Sequence, residues 1–349
     1  MNQRLREPTL HRLLDDNARY AADDRGMANH CPMALCALAG MGAQPARLQE
    51  FFDKWEGRFA LAAKPAAKPV NRETWPLSLG DASAFTALRG YFEEWIWSAG
   101  VDAVLEQVLS KIPFAPASGA FHAVIRLGYG LEADHVGEIA AGLAALVSGN
   151  LHIDMGSRQR LPAASVQQGL AALSRAMGGT IFTGDWIVVR LRAVGANPSF
   201  YATVPSAPAQ PQQQLLDDMA QAAIALYWQT NNFTALHMVT GLHAARRVLA
   251  SLPAALVQRL LPDLWIAFCA AYVSTGAPPL AASHVTLPEE DILPDSADTW
   301  HDLFTTAIAS DDDHVIKLVY TCYCENLRAP SPLYLAAAAR RAGRVFQMH

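Results

Sequence analysis

The sequence predicts an all-α fold: an array of αα-hairpins packed around a central buried site, with at most a short extended segment. Three observations lead there. Hydrophobic residues make up 52% of the 349-residue chain and charged residues only 17%, so a large core is available to bury. Alanine and leucine, both strong helix formers, dominate the apolar stretches. Apolar residues recur with the helical period along most of the chain, and the interruptions fall at proline- and glycine-rich segments.

From the N-terminus, this pattern predicts helices over residues 8–22, 31–41, 45–62, 83–110, 118–131, 135–148, 163–177, 213–230, 233–250, 254–274, 297–309, 313–327 and 332–345. The segment AAKPAAKPVN (62–71) breaks the pattern early. Two longer stretches, near 194–214 and 274–296, read as long loops within a single domain spanning 1–349. TIFTGDWIVVRLRAV (180–194) is the one convincing strand-like run, expected as an extended piece beside the helices.

The formal net charge is -5 and no long basic run occurs, so neither nucleic acid nor an anionic membrane surface is an expected partner. The polar, amphipathic start lacks the apolar core of a secretory signal. No stretch of about 18 uncharged apolar residues suggests a membrane span. The longest apolar tract, Leu261 to Pro279, contains Pro262 and Asp263 and reads as a buried helix. The cysteines, Cys31, Cys36, Cys269, Cys322 and Cys324, form no CxxC pair and no disulfide framework. They read as small core residues of a cytoplasmic protein. The apolar composition is compatible with a homodimer without requiring one.

A weak internal echo carries the functional reading. His30, His122, His237 and His314 each stand at or near the start of an apolar helix that is followed by a break and a second helix. Five positions after each comes an aliphatic residue: Leu35, Leu127, Leu242 and Val319. Pro32 suits the first helical turn beside His30, and Asp311–Asp313 suit a helix N-terminus beside His314. If the hairpins share an axis, four imidazoles meet. Imidazole suits iron, zinc, copper and nickel alike. A lone histidine on an apolar helix is ordinarily a hydrogen-bonded core residue; the shared placement is what favours a metal.

Lys317 lies three residues after His314, on the same helix face, within the apolar run Val315–Val319. Buried there, its amine would lose its charge more readily and could add carbon dioxide, becoming an anionic carbamate ligand. The competing reading is a lysine that snorkels to solvent. His243, six residues after His237, is the alternate ligand. Arg126 and Arg246 are candidates to orient a phenolate or carboxylate, against the simpler reading of salt bridges. Tyr91, Phe92 and Trp95–Trp97 read as core packing or as the wall of an aromatic cavity. Asp134–His135 and His301–Asp302 read as solvated pairs. The chain has no HExxH, no GxGxxG opening a βαβ unit, no P-loop and no GxSxG elbow, so no classical flavin or nicotinamide domain is built into it.

The blocks NHCPMAL (29–35), FHAVIRLGYGLE (121–132), HMVTGLHAAR (237–246) and DDDHVIKLVY (311–320) resemble, in order and spacing, the recurring blocks of the questin oxidase-like family. The resemblance runs from about residue 8 to about residue 345. It implies oxidation of aromatic polyketides, including opening of anthraquinone rings, either by NADPH-dependent Baeyer–Villiger-type chemistry or by iron-dependent dioxygenation. For the iron-dependent case it implies Fe2+ held by His30, His122, His237 and His314 with a carboxylated Lys317, and a small aromatic substrate and O2 as partners. Two other classes compete: a metal-free NAD(P)H-dependent oxidase, and a non-catalytic helical-repeat scaffold. The scaffold reading sits poorly with imidazoles inside apolar first turns, which need hydrogen-bonding or metal partners.

Overall fold

In the computed structural model, which describes residues 3–24, 27–66, 68–280, 287–288 and 291–343, the chain is all-α. The helices among the described residues are α1 (Pro8–Asn17), α2 (Cys31–Met41), α3 (Pro45–Phe59), α4 (Phe85–Ala99), α5 (Val101–Lys111), α6 (His122–Ala133), α7 (Val136–Ser148), α8 (Val166–Met177), α9 (Ile187–Gly195), α10 (Pro198–Thr203), α11 (Gln212–Thr230), α12 (Phe233–Ala250), α13 (Ala254–Ser274), α14 (Ala297–Ala309), α15 (Asp313–Arg328) and α16 (Pro332–Arg341). A two-residue hairpin, β1 (Asp23–Asp24) against β2 (Met27–Ala28), is the extended element among the described residues.

Local chemistry sets the helix limits. Ser165, Asn197, Asn232, Ser296, Asp312 and Ser331 each accept a backbone N–H in the first turn of the helix they precede. Pro8, Pro32, Pro45, Pro198 and Pro332 occupy first-turn positions where no N–H is needed. α2 stops at Gly42, whose φ of 96° suits a left-handed cap.

Four helices pack in a closed ring: α2 against α6, α6 against α12, α12 against α15, and α15 back against α2. Each is backed by a hairpin neighbour, α3, α7, α11 or α16. The ring is tight on the α6 side because Gly128 and Gly142 have no side chain. A Cβ at Gly128 would lie 2.7 Å from Ala244 Cβ on α12, and one at Gly142 would lie 2.5 Å from the Leu127 backbone. One continuous apolar core runs through the ring and its backing helices.

The elements depart from expectation in a few places. The strand-like run 180–194 is not extended at its end: Ile187–Gly195 is α9. Its β-branched residues suggested a strand, but Ile187, Leu191 and Val194 are buried at helical spacing, and that period decided. The helix expected over 83–110 is two, split at Gly100 with φ 84° and ψ 157°. α1 ends at Asn17 rather than near 22, and α6 begins at His122 rather than 118. The expected loop near 194–214 contains α10. Part of the expected loop 274–296, and the expected helix end at 345, lie outside the described residues. His135, read as solvated, is buried and caps α7 by accepting the Glu138 N–H.

Among the described residues, α13 alone is long and apolar enough to cross a membrane by length and composition. It packs against α8, α9, α11 and α12, and Leu264 to Ser274 are all buried.

Candidate metal centre

The four histidines come together at one end of the α2–α6–α12–α15 ring. His30 is the residue before α2. His122 opens α6 after a backbone turn in which Gly119, Ala120 and Phe121 have φ of 58°, 58° and 70°. Left-handed backbone at two non-glycine residues costs on the order of 1–3 kcal/mol each, so packing must hold it. Part of that packing is visible at Gly241 on α12, where a Cβ would come within 2.9 Å of Phe121. The turn brings the Gly119 carbonyl under His122 Nδ1. His237 is not at a helix start but one turn into α12, so its Nδ1 reaches the Phe233 carbonyl at 2.7 Å. His314 is the second residue of α15, fixed by Asp312, whose Oδ1 accepts the His314 backbone N–H at 2.8 Å.

His30 Nε2 lies 2.7 Å from His122 Nε2, which lies 3.2 Å from His237 Nε2. Ring centroids are 4.7 Å apart for His30 and His314, and 5.5 Å for His237 and His314. His237 is buried, and the other three are partly so. Asp313 Oδ1 stands 2.8 Å from His30 Nδ1, 3.0 Å from His314 Nδ1 and 3.0 Å from Lys317 Nζ. The ligand atoms of His30, His122 and His237 all lie within 4.8 Å of one another, as do those of His30, Asp313 and His314.

These contacts fix the tautomers. A neutral imidazole has one N–H and one lone pair. His122 gives its Nδ1–H to Gly119 and His237 to Phe233, while the Asp313 carboxylate, 2.8 and 3.0 Å from the Nδ1 atoms of His30 and His314, favours the proton at those nitrogens by its charge. All four Nε2 atoms are therefore left as lone pairs. Two of the pairs face each other at close range, and the buried His314 Nε2 has no hydrogen-bond partner. A proton between them is disfavoured. Burial, then the Lys317 charge, pushes His30 down to about 4. Burial, then the neighbouring imidazoles, pushes His122 and His237 well below 6.5. Such a set of neutral nitrogen donors, each oriented through its far N–H, fits a bound metal cation. Burial opposes ionisation of Asp313, but Lys317 and His30 hold it well below the usual 3.8.

Lys317 is buried at 2% exposure, one turn along α15 from Asp313. It does not snorkel. Asp313 itself was not singled out in the sequence beyond its place in an acidic run. The available signal was its spacing, adjacent to His314 and four residues before Lys317. Arg126 is turned away from the histidines into a buried two-point pair with Glu138, at 2.7 and 2.9 Å. His243 bonds Glu325 at 2.9 Å, and Arg246 pairs with Glu325 and Asp217. Phe92 packs on Trp75 and Trp95, while Trp97 is 74% exposed. A surface cavity of about 350 Å³ is lined by α8 residues, Ala163, Ala164 and Pro205, none of them near the histidines in sequence.

The family model described as questin oxidase-like matches residues 27–176 and 197–322, which is most of the chain and all four histidines. A curated protein named Baeyer-Villiger oxidase AgnL3, from Paecilomyces divaricatus, is 30% identical over 166 residues, covering 43% of this chain. The match spans 35% of that relative's own length.

Proposed function

We propose, because this chain belongs to the questin oxidase-like family, that it is a metal-dependent oxygenase, with non-haem iron as its ion, that opens an aromatic polyketide or quinone-like ring by oxidative C–C cleavage. One observation carries the metal: His122 Nε2 lies 2.7 and 3.2 Å from the Nε2 atoms of His30 and His237, the neighbouring His314 has a buried Nε2 without a hydrogen-bond partner, and the Nδ1 atoms of all four rings face oxygens.

His30, His122, His237 and His314 would hold the ion. The Gly119 and Phe233 carbonyls and Asp313 keep the protons at Nδ1, so the rings stay neutral donors in one orientation. Asp313 also balances the Lys317 ammonium, leaving no net charge to oppose a dication. A redox-active ion such as ferrous iron, when bound, supplies the electron transfer through which dioxygen reacts with an electron-rich ring. Cys31, Ala123, Met238 and Val315, the residues that follow the four histidines, are apolar and buried, which would favour a dry surrounding for such chemistry.

Lys317 is the expected fifth ligand once carboxylated. Its ammonium would add carbon dioxide, form an N–C bond and release two protons, becoming a carbamate. That change sets two carboxylates side by side, Asp313 and the carbamate, and so favours formation only with a cation present.

The relative's name, Baeyer-Villiger oxidase, supports a second reading in its reaction type; that reading is an NAD(P)H-dependent oxidation without metal. Elemental analysis of protein purified without chelators separates the two. The metal reading expects about one ion per chain, and oxygen uptake with a hydroxyanthraquinone that disappears in His122→Ala and His314→Ala. Unchanged metal content in both variants contradicts it, and NADPH-dependent oxidation by metal-free protein supports the alternative.

A further inference from the structure

Large apolar side chains such as Leu77, Trp97, Leu161 and Ile181 are exposed on this chain, but among the described residues only one exposed aromatic ring touches the histidine cluster. Phe233 is 46% exposed. Its ring centroid lies 4.7 Å from that of His237, at 74°, and 4.6 Å from that of His314, at 55°. Both contacts are inclined, and the rest of the ring is open to water. The residue stands in a polar run, Thr230-Asn231-Asn232-Phe233-Thr234, at the first position of α12. A polar side chain at that position would expose no apolar surface. Phe233 also adjoins the accessible side of the cluster, where the side chains of His30, His314 and Asp313 retain 15%, 13% and 27% exposure.

We propose that Phe233 is a stacking platform that seats a planar, fused aromatic substrate at the mouth of the histidine cluster. The proposal rests on the oxygenase reading and names the substrate class it requires. An aromatic ring offers a face whose quadrupole suits offset stacking on an electron-poor quinone ring, and that interaction does not depend on a particular pattern of hydroxyl groups. The ring's contact with two of the histidines sets the distance between a stacked substrate and the cluster.

The test is a titration of as-purified protein with 1,8-dihydroxyanthraquinone under anaerobic conditions, read by intrinsic fluorescence, with metal content measured in parallel. Phe233→Ala is expected to weaken binding about tenfold, Phe233→Trp to bind as wild type, and Phe233→Leu to behave like the alanine variant. Metal content is expected to be the same in all of them. Wild-type binding by Phe233→Leu or Phe233→Ala would overturn the proposal. So would a loss of metal in Phe233→Ala, which would make the ring a cover for the histidines instead. If the wild type itself lacks metal, the oxygenase reading fails, while the binding series still decides whether the ring is a platform.

Discussion

The histidines at one end of α2, α6, α12 and α15, and the charged groups further along the same helices, are both withdrawn from water, yet they are satisfied in opposite ways. His243 lies six residues beyond His237, about 9 Å along the α12 axis. There Glu325 accepts from His243 and pairs with Arg246, and one step closer to the histidines Arg126 and Glu138 complete a two-point pair. Every charge in that layer meets its opposite. In the histidine layer the donors point outward to carbonyls and to Asp313, and the acceptors are left facing one another. Buried polarity is thus common to both; in one, opposite charges are paired, and in the other, neutral acceptors face each other. That distinction separates a structural ion-pair layer from a place prepared for a ligand.

The largest expected effect falls in the charge-paired layer. Glu138→Ala strands the Arg126 guanidinium and should cost about 3–5 kcal/mol of folding stability, whereas replacing both residues by apolar ones should recover most of it. Denaturant unfolding measures this, and metal content should stay at the wild-type level in the double variant. A metal-free but stable double variant would break the contrast between the layers.

In the histidine layer, His122→Ala should reduce metal affinity at least about hundredfold, or about 3 kcal/mol, with little loss of stability in the metal-free protein. Metal-competition titration and thermal unfolding are read together. Asp313→Asn should have a smaller effect, about 10–100-fold in affinity, because the ligands remain and only their orientation and charge balance are weakened.

The smallest effect is in pH dependence, and its sign differs between the layers. His30 drops from 6.5 to about 4 on folding. The unfolded chain therefore takes up protons that the folded chain refuses, and the metal-free protein should lose stability as pH falls from 6.5 towards 4. Burial pulls His243 down, but the Glu325 hydrogen bond and charge outweigh it and raise its pKa. Its contribution is full below pH 6.5 and fades as pH rises through the raised value. Thermal unfolding of metal-free protein across this range should show both slopes, and His243→Gln should remove the one on the alkaline side alone.

The helices were legible because their apolar faces repeat with one period and their caps are written in Ser, Asn, Asp and Pro. The α9 segment was not, since a short β-branched run carries strand preference and helical spacing at once. The histidines could be read as a set from their shared position at or near the starts of four similar helices. What was hidden was orientation: that Gly119 and Phe233 would supply carbonyls, that Asp313 would serve three nitrogens, and that Arg126 would be spent on Glu138. The Glu138 partner comes from a different helix, 12 residues away, and Asp313 reaches His30 from the far end of the chain; local pattern encodes neither, and the nearer partners depend on the turn geometry around each histidine.

The most direct measurement is a zinc titration of metal-free protein followed by the 15N resonances of its histidine side chains. The Nε2 signals of His30, His122, His237 and His314 are expected to shift together and saturate at one equivalent, with all four Nδ1 atoms still protonated. Shifts in a subset, or saturation at different equivalents, would contradict a single centre.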